Sequence, residues 1–83
     1  MEFLQVVKNV KEYLKMLSLQ EKVILFNTLF NSPIEYKDGA FYLSGKEYTT
    51  NRVNDYFSIR EHWMSMHEFD KLNQYIENKK KIE

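Results

Sequence analysis

Twelve consecutive residues, SIREHWMSMHEF at positions 58–69, hold both histidines of the chain, its only tryptophan and two of its four methionines. Imidazole is the commonest metal ligand and general base near neutral pH, so metal or acid–base chemistry in this chain would have to be built here. The spacing opposes it. A metal-binding histidine pair on one helix needs a separation of three or four residues to bring both rings to one side. His62 and His67 are five apart, about 140° around an unbroken helix. His67 and Asp70 are placed at i and i+3 and would supply two ligands, but no third residue is nominated. Both histidines therefore read as surface groups. Trp63, Met64 and Met66 read as core, because tryptophan buries a large area and methionine fills gaps.

Other routes to catalysis are closed by residue type. Without cysteine there is no thiolate nucleophile, no disulfide and no common zinc finger. Ser18, Ser32, Ser44, Ser58 and Ser65 all occupy capping or turn contexts, and no G-x-S-x-G elbow is present. The two glycines cannot write G-x-G-x-x-G or the phosphate-loop pattern. Carboxylate pairs such as Glu68 and Asp70 lie on polar faces. No catalytic residue, cofactor site or metal ligand is assigned, and a non-enzymatic protein is expected.

The elements that would position any site are marked by period and by caps. Phe3, Val7, Val10, Leu14 and Leu17 recur at helical spacing beside a stripe of Lys8, Lys11 and Lys15. Ser18-Leu19-Gln20-Glu21 matches a capping box and starts a second helix, apolar around most of its circumference, which Asn31-Ser32-Pro33 ends. The period then changes to two. In IEYKDGAFYL the pair Asp38-Gly39 suits a two-residue hairpin turn, setting Tyr36 opposite Phe41 and Ile34 opposite Leu43. Ser44-Gly45-Lys46 offers a further turn into a short third strand at 47–49. Thr49, Thr50 and Asn51 offer N-caps for a third helical segment. Its apolar stripe shifts between Trp63 and Phe69, and the second capping-box match at Ser65-Met66-His67-Glu68 puts a bend or break near Ser65. The sequence thus predicts one α+β domain over residues 1–83: a helical hairpin, a β-hairpin and a C-terminal helical segment.

Composition narrows the function further. At 43% hydrophobic and 29% charged residues the chain has the balance of a folded protein, at a size that leaves little room for a separate cleft. It lacks a secretory leader pattern and an apolar run of about 18 residues, so a cytoplasmic location with no membrane association is expected. Twelve basic and twelve acidic residues cancel, removing any whole-protein attraction to polyanions. Residues with AT-rich codons (Phe, Tyr, Met, Ile, Asn, Lys) total 38, against 6 for Gly, Ala, Arg and Pro. That bias fits low-GC bacteria and their phages or mobile elements.

Two surfaces remain as binding candidates. One is the basic ridge of Lys8, Lys11 and Lys15, interrupted by Glu12 and extended by Lys22 and the Lys79–Lys81 run. The other is the set of tyrosines beyond the needs of the core, Tyr13, Tyr42 and Tyr48, a residue type enriched in protein interfaces. Two helices before a hairpin resembles the winged-helix order of DNA binders. That fold, however, uses a further helix before the wing and a basic recognition helix, where this chain has the apolar Val23–Phe30 stretch. The leading expectation is a protein-binding regulator or inhibitor, with a homodimer allowed. The alternative is a small nucleic-acid-binding module using the lysine ridge.

Overall fold

The structure, a computed structural model, describes residues 2–82. It is α+β, as the change of period predicts: α1 (Phe3–Met16), α2 (Leu19–Leu29), β1 (Ile34–Lys37), β2 (Ala40–Leu43), β3 (Lys46–Tyr48), α3 (Thr50–His62) and α4 (Met66–Ile82). These elements pack as two compact units, one formed by α1 with α4 and the other by α2, the sheet and α3.

In the first unit, Val6, Val10 and Leu14 of α1 and Phe69, Leu72 and Ile76 of α4 are buried. The α1 stripe differs by one position from the predicted one. Val6 takes the fully buried place at i−4 from Val10, while Val7 is half-buried and Leu17 falls beyond the helix end. Phe3 meets Phe69 edge-on at 6.0 Å and Tyr13 meets Tyr75 at 6.5 Å. Pairs that advance together along both helices make α1 and α4 parallel. The start of α4 is fixed by the predicted box: the Ser65 N–H donates to Glu68 Oε1 at 3.1 Å and the Glu68 N–H to Ser65 Oγ at 3.2 Å. Ser58-Ile59-Arg60-Glu61 carries the same pattern but lies inside α3, where the backbone donors are already used.

The second unit begins with the Ser18 box, in which the Ser18 N–H donates to Glu21 Oε1 at 2.8 Å and the Glu21 N–H to Ser18 Oγ at 3.1 Å. Val23, Leu25 and Phe26 of α2 are buried, but Ile24 is exposed, so the helix is not apolar-packed all round as its composition suggests. The Asn27 side-chain amide donates to the Ile34 carbonyl at 2.9 Å and ties α2 to the start of β1.

The sheet is antiparallel in the order β1-β2-β3, with Ile34 opposite Leu43 and Tyr36 opposite Phe41, the register read from the turn pair. Asp38 and Gly39 have φ of 52° and 83°, and Ser44 and Gly45 have 51° and 83°, so both connections are two-residue turns of positive φ. Because the second turn is that short, β3 starts at Lys46 rather than at 47. Thr49 is released to cap α3, accepting from the Arg52 N–H at 3.3 Å.

Candidate interaction surfaces

The largest departure from the sequence reading is on α3. Trp63 is 76% exposed and Ile59 is 63% exposed, and Met66 at the start of α4 is exposed as well. Only Met64 of the three residues expected in the core is buried. The cause lies in which stripe of α3 faces inward. Val53 and Phe57 are buried, and the half-buried residue one turn further on is Arg60, whose guanidinium lies 5.5 Å from the Phe26 ring and 5.6 Å from the Phe30 ring. An arginine stacked on aromatic faces fills the place an apolar residue would take, since its planar, weakly hydrated cation suits that surface. Ile59 and Trp63 lie about a quarter turn away from Val53, Phe57 and Arg60 and are left facing outward.

Trp63 is held at the end of α3 rather than in a loose tail. Its N–H donates to the Ile59 carbonyl at 3.1 Å, and its ring meets His62 edge-on at 5.3 Å. Behind this face the helix is anchored by the Phe26–Phe57 contact at 5.1 Å and by the Lys22–Glu61 ion pair at 3.1 Å. Trp63 and Ile59, at i and i+4, therefore present an indole and a branched aliphatic side chain on one rigid helical face.

The tyrosines named as binding candidates are dispersed. Tyr13 packs on Tyr75 in the α1–α4 unit, and its hydroxyl takes a 3.4 Å hydrogen bond from Lys79 Nζ. Tyr48 pairs with Phe41, so it shares the inner face of the sheet, with the Arg52 guanidinium 5.7 Å from its ring. Tyr42 lies on the outer face between Glu35 and Glu47 of the flanking strands, beside an open depression lined by Glu35, Lys37, Asp38 and Gly45. Tyr42 and Tyr48 thus occupy opposite faces of the sheet.

Lys8, Lys11 and Lys15 are exposed along α1 and continue a line that begins at the exposed Leu4. Lys22 does not extend the ridge, because its ammonium is committed to Glu61 within the other unit. His62 and His67 are exposed. Among the described residues no three His, Cys, Asp or Glu side chains cluster so as to hold a metal ion, and no helix is long and apolar enough to cross a membrane. No family model, curated protein or solved structure matches the chain.

Proposed function

We propose that this protein is a non-enzymatic regulator or inhibitor that acts by docking on another protein through the Ile59 and Trp63 face of α3. The observation that carries the reading is the 76% exposure of the only tryptophan, held on a helix whose other side is packed. A rigid exposed indole costs little conformational entropy on binding and buries a large area, which is why tryptophan dominates binding hot spots. Exposed large apolar groups are tolerated singly, but an adjacent pair on an ordered face is what a partner's pocket would cover. The half-buried Tyr42 on the outer sheet face, flanked by the exposed Glu35 and Glu47, is a second candidate contact. The AT-rich composition supports an origin in a phage or mobile element, where small inhibitors of host proteins are common products.

The test is affinity capture from a low-GC bacterial lysate with cross-linking and mass spectrometry, run in parallel for the wild-type chain and for Trp63→Ala and Ile59→Ala. A partner bound saturably by the wild type should lose at least about tenfold in affinity with Trp63→Ala, the loss typical of a hot-spot residue. Binding that is indifferent to both substitutions, with the fold intact, would remove this face as the docking site.

A further inference from the structure

Arg52, Tyr56, Ile59 and Trp63 form one row along α3. At about 100° per residue they fall within about 60° of one another around the helix, over a length of about 16 Å. Arg52, Ile59 and Trp63 are exposed and Tyr56 is half-buried. Asp55 and His62, both exposed and neither in an ion pair, flank the row on the side away from Tyr56. The spacing along the row is four, three and four residues, which reads the same in either direction. A second copy laid antiparallel, about a two-fold axis between positions 57 and 58, therefore sets each side chain against a different type. Arg52 faces Trp63 and Tyr56 faces Ile59, each contact occurring twice, as in any isologous interface.

We infer that a second copy of this chain covers the row, in a reversible antiparallel α3–α3 dimer. The chemistry of the facing pairs selects that occupant. The Arg52 guanidinium lies 5.7 Å from the Tyr48 ring and is otherwise exposed, so the indole of the second copy has a cation to stack on. Tryptophan is the best aromatic partner for such a cation. Tyr56 against Ile59 closes the middle of the row with apolar surface. The rim is complementary as well. Across this axis equal flanks meet, which brings Asp55 within two positions, about 3 Å along the helix, of the level of His62 in the second copy. Imidazole has an N–H to donate to a carboxylate in either protonation state. A parallel pair would instead set Arg52 on Arg52 and Asp55 on Asp55, like charges that repel. Four side chains a copy fall well short of the roughly 20 residues a side in a stable complex, so the dimer separates on dilution.

The dimer shares the α3 face with the docking reading but does not rest on it: a second copy would keep Trp63 covered until a partner displaces it. Loss of either finding leaves the other standing, because self-association is measured on the pure chain and capture on a lysate. The test is sedimentation velocity of the full chain from about 2 to 200 μM, with a Kd of about 10 to 100 μM expected. Trp63 emission should shift to the blue in step with the rise in mass. Trp63→Ala and Arg52→Ala, checked for folding by circular dichroism, should each weaken association by at least about tenfold. Tyr42→Ala, on the sheet, should leave it within about twofold. Asp55→Lys and His62→Glu should each weaken it about threefold when alone, and an equimolar mixture of the two should recover to within about twofold of wild type. A chain that stays monomeric at about 200 μM would overturn the inference. So would species larger than a dimer, association that Trp63→Ala leaves unchanged, or a mixture that associates no better than its components.

Discussion

The ammonium of Lys22 donates to Glu61 at 3.1 Å, joining α2 to α3 across 39 positions of sequence with both side chains about one-fifth exposed. A pair so placed is neither a fully solvated surface bridge nor a buried one. Its net contribution should therefore lie near the upper end of the surface range. A double-mutant cycle with Lys22→Met and Glu61→Gln, followed by urea unfolding, should return a coupling of about 0.5 to 1.5 kcal/mol. A coupling indistinguishable from zero would show that the α2–α3 contact rests on its apolar groups alone.

Those apolar groups centre on Phe26, which is 1% exposed and touches Phe57 and Phe30 at ring separations of 5.1 and 5.6 Å. Phe26→Ala should cost about 3 to 5 kcal/mol, the range for a buried aromatic truncated to alanine. Leu25→Ala should cost about 2 to 5 kcal/mol. Losses below about 1 kcal/mol in chemical denaturation would mean that the ring site collapses without penalty, contrary to the packing described.

Trp63 gives a direct optical reading of its own environment, because no other tryptophan is present. Its emission should resemble that of free indole in water and be quenched efficiently by acrylamide. Trp63→Ala should change stability by no more than about 0.5 kcal/mol, as for surface substitutions generally. A blue-shifted, protected emission in the isolated monomer would place the indole in a core.

Two serines with the same sequence pattern offer a contrast. Ser65→Ala removes the cap of α4 and should destabilise by about 1 kcal/mol. Ser58→Ala, in the exposed middle of α3, should be neutral or slightly stabilising because alanine has the higher helix propensity. Equal effects in thermal unfolding would contradict the placement of the helix break.

Gly39 and Gly45 both have φ of +83°, and a Cβ built on either would meet nothing within 4 Å. Gly45→Ala should therefore cost only the backbone term, about 1 to 2 kcal/mol, with no steric addition. A much larger loss would mean that space, not conformation, is limiting at the turn.

The fold was more legible than the surface, for physical reasons. Strand parity and a two-residue turn admit one register, so Tyr36 opposite Phe41 follows once Asp38-Gly39 is placed. A capping box matters only where donors are unpaired, so Ser65 could be chosen over Ser58 once the stripe was seen to shift. Exposure on α3 was not legible because residue type misleads there. Arg60 stands in the inward stripe and conceals it, while Ile59 and Trp63 mark a stripe that faces water. The tyrosines failed to converge for a related reason: Tyr42 and Tyr48 belong to adjacent strands, and whether they share a face depends on the exact start of β3. The direction of α4 relative to α1 is contained in no local pattern of the sequence.

That direction also bears on the order of folding. The unit made of α2, the sheet and α3 is contiguous in sequence and joined mostly by short turns. The α1–α4 unit pairs segments with all of those elements between them. Closing a loop of that length carries an entropic cost before any contact offsets it, whereas the inner unit closes through near neighbours. During synthesis α1 precedes α4 by the whole of the inner unit, so the α4 side chains that pack on its Val6, Val10 and Leu14 face are made only after that unit. The α1–α4 unit is therefore the one completed last, and a truncation that removes α4 should leave the Val6, Val10 and Leu14 face of α1 without its α4 partner.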